Sequence, residues 1–466
     1  MSGLMTALVL LCGQASQPNI LYLMADDLGF ADLGCYGHAF NETPNIDKLA
    51  KEGMRFRFAY TCGPNCQPTR AALMSGQYGP RTGIYTVGNI NRFDWQSRPL
   101  RPVENVEQLP SGKTTLAQAM KSAGYATGHF GKWHLGNQGE FHPTKRGFDE
   151  SIVSQGKHFE FKTVPPVDYP KGAYLADWLT DKAVDFIQRK KDKPFFLCLH
   201  HFGVHSPFEA KPNLIRKFQM KKATLPHHDP VYAAMLYSVD ESVGKILALL
   251  DELKLRDNTL VIFASDNGGV GGYAREGIRG APDKTDNAPL RGGKGMLYEG
   301  GIRIPYICNW PGKIRPGSES STPICSVDLF PTLLDVAGAK KTAAQILDGE
   351  SFLPVIQGDG GTPLKRTDIF WHFPGYLGAG ENSYRTTPVS VVRSNNWKLL
   401  EFLETGKLEL YDVVADVGEK MDQSARRPEV VRDLKVKLDT WRKGIGAPMP
   451  GKNIPRANQG KKKKQD

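Results

Sequence analysis

The 466-residue sequence predicts an α/β fold, with a large, mostly parallel sheet flanked by helices and then a smaller C-terminal antiparallel sheet with one helix. Three observations carry this expectation. Apolar runs rich in β-branched and aromatic residues alternate with stretches whose apolar residues recur every three or four positions. Polar residues gather immediately after those runs, where open α/β sheets bind ligands. Beyond Pro354 the texture changes to short apolar runs separated by turns.

Taken in order, residues 4–11 (LMTALVLL) match the apolar core of an export signal and fall short of the roughly 20 residues that span a bilayer. Residues 1–17 are therefore expected to be a signal peptide region, with Gly13 and Ala15 as small residues before a cut at Ser16. The protein is expected to be exported, periplasmic or extracellular. Lipoprotein anchoring through Cys12 is the weaker reading, because Leu11 stands where a small residue is wanted. No other segment reads as transmembrane.

Residues 18–360 are expected to form a catalytic α/β domain. Its strand candidates are NILYLM, YATGHF, FFLCLH, TLVIFAS and IPYICNW, and its helix candidates are residues 46–52, 69–75, 115–123, 175–190 and 230–253. Residues 361–450 read as a smaller α+β domain. There IFWHF, VSVVRS, WKLLEFL and KLELYDV are short strands, and a charged helix over 428–443 covers one face of their sheet. Residues 451–466 read as a basic flexible tail ending in four lysines, 461–464.

A chain 40% hydrophobic and 23% charged, with 49 Gly and 32 Pro, is neither disordered, collagenous nor a disulfide miniprotein. Its net charge of +11 suits polyanionic partners: nucleic acid, anionic glycan or an acidic surface. The seven cysteines lack paired zinc spacing. Cys198 and Cys308 sit in apolar runs as core thiols. Cys62, four residues before Cys66, leaves a disulfide or a two-thiol metal site open at this point.

The residues that follow the strands are Asp26-Asp27, Gly131-Lys132-Trp133-His134, residues 201–205 and Asp266-Asn267. Asp26, Asp27, Asp266 and Asn267 form an all-oxygen set suited to Ca²⁺ or Mg²⁺, with calcium favoured by ligand number. Cys66 precedes Pro68 and opens a helical stretch. Free amides at that helix end, with Arg70 one turn on, suit a tetrahedral oxyanion, so the reacting group is expected to be an anionic oxyester. His200 and His201 read as structural.

These residues resemble a known family, the type I, arylsulfatase-like sulfatases of the alkaline phosphatase superfamily, from about Asn19 to about Gly444. Cys66-x-Pro68-Thr69-Arg70 followed by AALMSGQYGPRTG is similar to the signature whose Cys is oxidised to formylglycine. PNILYLMADDLG, TPNIDKLAKEGMRF, GKWHLG, HSPF, SDNGG and LRGGKGMLYEGGIRIPYI are similar to the other family blocks and keep their order. Thr69 stands where the family usually has Ser, and it keeps the hydroxyl.

The resemblance implies an alkaline phosphatase-like fold and a sulfatase acting on carbohydrate sulfates, such as algal polysaccharide or glycosaminoglycan fragments. It implies one Ca²⁺ held by Asp26, Asp27, Asp266, Asn267 and position 66. It also implies a formylglycine-generating maturation enzyme as partner, a sulfated saccharide as substrate, and no nucleic acid. Hydrated formylglycine would attack sulfur and return to the aldehyde as sulfate leaves. Arg70 and Lys132 would orient it, His134 would accept its proton, and His205 and Lys294 would serve the ester oxygen and sulfate. Substrate contacts are expected from three segments, 88–101 (Arg92, Trp95), 271–289, and 370–376 (Trp371, His372), although Trp371 equally suits domain packing. The competing readings are a phosphoesterase or phosphonate hydrolase of the same superfamily, and a non-catalytic polyanion-binding protein.

Overall fold

The computed structural model describes residues 17–455 apart from 224–227, 279–282, 342–344 and 381–382. The expected export signal through Ala15, Cys12 and the lysines 461–464 lie outside the described residues.

Nine strands form the main sheet, in the order Ser318–Ser320, Met54–Phe56, Tyr306–Asn309, Thr259–Ser265, Asn19–Ala25, Phe195–His200, Ala126–Gly131, Glu150–Gln155, Lys162–Val164. From Thr259–Ser265 across to Glu150–Gln155 every pairing is parallel. Tyr306–Asn309 and Lys162–Val164 join antiparallel, so the sheet is mixed towards its edges. The central strands are buried along their whole length, which is why they read as continuous apolar runs.

Alternation within Asn19–Ala25 still sorts its side chains between two cores. Leu21 and Leu23 pack with the helices Pro44–Lys51, Leu175–Lys190 and Pro230–Glu252. Ile20, Tyr22 and Met24 face the helices Cys66–Ser75, Leu116–Ser122 and Leu329–Val336. Local chemistry starts these helices where the sequence places them. Asp229 accepts from the amides of Val231 and Tyr232, and Thr115 with Gln118 forms a reciprocal capping box. Among the described residues no helix is long and apolar enough to cross a membrane.

The C-terminal sheet is antiparallel, Asp368–Phe373, Val389–Ser394, Trp397–Phe402 and Leu408–Asp412 in spatial order. Helix Pro428–Ile445 lays Leu434 and Leu438 on Val392, Leu399 and Leu410. The opposite face, with Val389, Val391 and Leu400, packs against Tyr60 and Tyr273 of the larger unit. Two features differ from the sequence reading. A hairpin of Leu377–Gly380 and Ser383–Thr386 lies beside this sheet. The segment from 451 also starts as structure: Gly451–Lys452 pairs with Leu100–Arg101, and Asn453 Nδ2 donates to the Arg98 carbonyl at 2.7 Å. So short a strand has no periodicity to read; its pairing partner creates it.

Candidate active site

Parallel pairing places the expected residues side by side. Ala25 stands opposite Ser265, so Asp26-Asp27 and Asp266-Asn267 leave adjacent strands at the same level. Gly131 stands opposite His200 and has φ +115°; a Cβ there would lie 1.9 Å from the His200 carbonyl oxygen. Only glycine permits that approach, after which Lys132 N–H donates to the same oxygen at 2.9 Å. Asp27 and His134 adopt left-handed backbone, φ +63° and +64°, a strained conformation that recurs at functional sites.

Three buried carboxylates each have one cation within 2.7 Å, and Arg70 Nη2 also lies 3.8 Å from Asp26 Oδ2. Arg70 Nη2 and Nε donate to Asp266 Oδ2 at 2.7 and 2.9 Å, and its Nη1 donates to the Lys132 carbonyl at 2.5 Å. Lys132 Nζ lies 2.5 Å from Asp26 Oδ2 and 3.5 Å from Cys66 Sγ. Lys294 Nζ lies 2.6 Å from Asp27 Oδ1. Cross-links close the set: Asp27 N–H donates to Asp266 Oδ1 at 3.2 Å, and Asn267 Nδ2 donates to Asp27 Oδ1 at 2.8 Å.

Burial alone would raise the Asp27 carboxyl, but Lys294, His205 and Lys132 hold it well below the ordinary range. Asp26 is pushed up to about 7 by burial and by Asp266, against Lys132. Asp26 Oδ1 and Asn267 Oδ1 are buried acceptors with no hydrogen-bond partner, and ligand atoms of Asp26, Cys66 and Asp266 lie within 4.8 Å of one another. Orphaned oxygen acceptors among paired carboxylates are what a hard divalent cation satisfies.

Cys66 opens the helix Cys66–Ser75, all ten residues of which are buried. Asn65 makes no side-chain cap: its Nδ2 donates to Thr86 Oγ1 at 2.9 Å and its buried Oδ1 has no hydrogen-bond partner, so first-turn amides stay available to an anion. Burial raises the Cys66 thiol pKa, while Lys132 and Lys294 oppose that rise. Half-buried His134 has an unpartnered Nδ1, and burial followed by Lys132 and Arg70 holds its pKa well below the usual value, leaving a neutral ring able to accept a proton. His205 Nε2 lies 3.7 Å from Asp27 Oδ2, and its Nδ1 lies 2.5 Å from the Ser206 carbonyl. That carbonyl keeps the neutral ring's proton on Nδ1, so Nε2 donates only as imidazolium, whereas the Lys294 ammonium carries its proton throughout.

Comparison with known proteins gives the family. The family model described as Sulfatase matches residues 18–339, and a model described as N-sulphoglucosamine sulphohydrolase, C-terminal, matches residues 293–444. A sulfatase from Formosa agariphila is 33% identical across 91% of this chain and 87% of its own length. The chain belongs to the sulfatase family. It is a sulfuric ester hydrolase. N-acetylgalactosamine-6-sulfatase of Canis lupus familiaris is 35% identical over 74% of this sulfatase and 67% of the relative. The crystal structure of Ps i-CgsB in complex with k-i-k-neocarrahexaose is 31% identical with a TM-score of 0.76, covering 91% of this chain and 93% of that one. A phosphonate monoester hydrolase of Agrobacterium radiobacter, 19% identical with a TM-score of 0.65 and covering 94% of this chain and all of that one, shares the fold.

The sulfatase thus brings Asp26, Asp27, Cys66, Arg70, Lys132, His205, Asp266, Asn267 and Lys294 into one network, with His134 two residues beyond Lys132. Lys132, His134, Asn137, Ser154 and Phe202 line a cavity of about 170 Å³. Two expected substrate residues lie elsewhere. Trp371 is 1% exposed, donates Nε1–H to the Thr61 carbonyl at 2.6 Å and packs edge-on to Tyr60. His372 spends both ring nitrogens inside, on Ser390 Oγ and the Pro448 carbonyl, each at 2.8 Å. They pack the C-terminal sheet, the role the sequence allowed for Trp371. Arg92 and Trp95 sit on the outer loop, where Trp95 Nε1 donates to Asn91 Oδ1 at 3.2 Å. Cys62 does not pair with Cys66; its Sγ lies 3.1 Å from Cys325 Sγ. Arg385 was missed by sequence reasoning, which reached Tyr273 only as part of the segment 271–289. Tyr273 donates to the Lys294 carbonyl at 2.7 Å and Arg385 lies over its ring, and neither carries a local motif.

Proposed function

We propose that this sulfatase hydrolyses sulfate esters of carbohydrates, with formylglycine at position 66 and one calcium ion. The observation that carries the proposal is the buried set of three carboxylate–cation pairs around position 66, with two acceptors left over. Asp26, Asp27, Asp266 and Asn267 would hold the ion, which supplies charge to offset the approach of an anionic ester. Formylglycine would supply, as its hydrate, one hydroxyl as nucleophile and a second whose loss of a proton would restore the aldehyde as sulfate leaves. Around it Lys132 and Arg70 fix the position of the reacting group, and His134 accepts a proton. Lys294 offsets charge on the departing alkoxide, while His205, whose pKa burial lowers to about 3, stands beside Asp27 as a neutral ring.

The carbohydrate assignment is supported by a curated relative named for a sulfated amino sugar and by a solved relative holding a carrageenan fragment. Export is supported by the apolar run at residues 4–11. We assign residues 18–360 to the catalytic domain and 361–450 to the smaller one. Because helix Cys66–Ser75 is buried, the formylglycine-generating enzyme must reach Cys66 before that helix packs.

The test is release of inorganic sulfate and phosphate from matched sulfated and phosphorylated sugars, by chain matured with a formylglycine-generating enzyme, with Cys66→Ala as control. Sulfate release lost in the control supports the proposal. Phosphate release alone moves the protein to the phosphoesterases, and undiminished turnover in folded Cys66→Ala refutes the role of position 66. The mass of the Cys66 peptide reports conversion directly.

A further inference from the structure

The charges nearest position 66 cancel in pairs: Arg70 with Asp266, Lys132 with Asp26, Lys294 with Asp27. Arginines further out mostly have carboxylate partners too. Arg98 is held by Glu404, Arg275 by Asp286 and Arg291 by Glu276. Arg92 and Arg385 differ. Among the described residues neither forms an ion pair; Arg92 Nη1 donates only to the Val87 carbonyl at 3.1 Å, and buried Arg385 Nε has no hydrogen-bond partner.

Packing brings both arginines to the edge of the site. Arg385 lies over the Tyr273 ring at 5.2 Å, and Tyr273 donates its hydroxyl hydrogen to the carbonyl of Lys294. Arg385 also lies against Gly295, where a Cβ would come within 2.9 Å of Arg385 Cδ, and Gly295 N–H donates to the Pro64 carbonyl two residues before Cys66. Arg92 stands on the loop that locks onto the hairpin carrying Arg385. A Cβ at Gly378 would strike Phe93 at 2.6 Å, and Tyr384 donates to the Asp94 carbonyl at 2.7 Å. The Arg92 loop also reaches position 66: Arg92 Nη1 holds the Val87 carbonyl, and the preceding Thr86 Oγ1 accepts from Nδ2 of Asn65, the residue before Cys66, at 2.9 Å.

Two like charges held close, one of them with a buried unpaired donor, repel each other until an anion arrives. We propose that Arg92 and Arg385 form a second anion site beside the reacting sulfate, so that the preferred substrate is a saccharide with a further sulfate or a carboxylate near the ester that is cleaved. This rests on the sulfatase reading for its position beside the reacting group. Guanidinium groups suit planar carboxylate and sulfate oxygens alike, through paired N–H donors.

The test is titration calorimetry on the full chain carrying Cys66→Ala, which binds without turnover. Galactose 6-sulfate is compared with galactose 2,6-disulfate, galactose 4,6-disulfate and the unsaturated uronosyl disaccharide of N-acetylgalactosamine 6-sulfate. At least one doubly charged ligand should bind roughly tenfold or more tightly than galactose 6-sulfate. Adding Arg385→Gln or Arg92→Gln should bring that preference to within about threefold, and Arg385→Lys should keep part of it. If Arg385→Gln fails to fold, the outer-loop Arg92→Gln still decides. The proposal is overturned if no doubly charged ligand is preferred, or if the preference survives both glutamine substitutions. Which ligand wins separates a sulfate from a carboxylate. Sulfate release by the matured parent chain is measured alongside: its absence would sink the sulfatase reading alone, because the binding comparison needs no turnover.

Discussion

Lys398 gives the sharpest stability prediction. It lies on strand Trp397–Phe402 with no solvent exposure, and its Nζ sits 3.0 Å from Glu299 Oε1 and 2.9 Å from Glu419 Oε1. Glu299 also accepts from the Tyr60 hydroxyl at 2.8 Å, and Glu419 accepts from the Glu299 amide at 2.7 Å. Lys398→Met keeps much of the volume and leaves two buried carboxylates sharing no lysine. Removing one partner from a buried ion pair costs about 3–5 kcal/mol. The loss should depend on pH, with a sign that follows from Glu419. Burial pushes its carboxyl up to about 7 despite Lys398, whereas Glu299 is held below its ordinary value because Lys398, Arg303 and Arg393 outweigh its burial. A carboxyl with a raised folded pKa costs nothing below its unfolded pKa and most above its folded one. Without Lys398, Glu419 should stay protonated to higher pH still. Urea unfolding followed by tryptophan fluorescence should therefore show a loss of about 3–5 kcal/mol at pH 8 and less than about half of that at pH 5. Lys398→Met with Glu419→Gln should recover part of it. A loss under about 1 kcal/mol at pH 8, or an equal loss at both pH values, would refute the reasoning.

Other outcomes follow from the site and the cores. Calcium should raise the thermal midpoint of the chain, EDTA should lower it, and Asn267→Ala should shrink the calcium-dependent shift; an unchanged shift would remove Asn267 from the ligand set. Gly131→Ala places a methyl against the His200 carbonyl oxygen and should displace Lys132, so turnover should fall at least about tenfold with a lower melting temperature. Normal turnover would show that the strand end tolerates the shift. Trp371→Ala should destabilise by about 3–5 kcal/mol in denaturant titration, while Trp95→Ala on the outer loop should stay within about 0.5 kcal/mol. The reverse order would return Trp371 to the substrate-binding residues.

Much of the fold was legible because it is written in local chemistry. Residues 175–190 carry an apolar stripe and fold as Leu175–Lys190; residues 230–253 have Asp229 as cap and fold as Pro230–Glu252. The candidate site was legible for a topological reason, since groups that follow parallel strands converge wherever those strands pair. Asp26 and Asp266 meet because Ala25 pairs with Ser265. The hairpin Leu377–Gly380 with Ser383–Thr386 and the short strand Gly451–Lys452 were not legible, because neither has enough residues for a period to emerge.

Trp371 and Trp95 mark the limit of composition as a guide. Both are aromatic residues in segments expected to contact substrate, yet one is sealed under the C-terminal sheet and the other lies on the outer loop. By itself the sequence determined the α/β class, the order of the main elements, the family resemblance and the residues at the strand ends. Each of these depends on periodicity, capping or motif within a short stretch of chain. Only the tertiary structure decided that Cys62 faces Cys325, that Lys398 joins Glu299 to Glu419, and that Arg385 comes to the Lys294 loop. Those contacts join residues 21 to 263 positions apart, and their partners are chosen by tertiary packing.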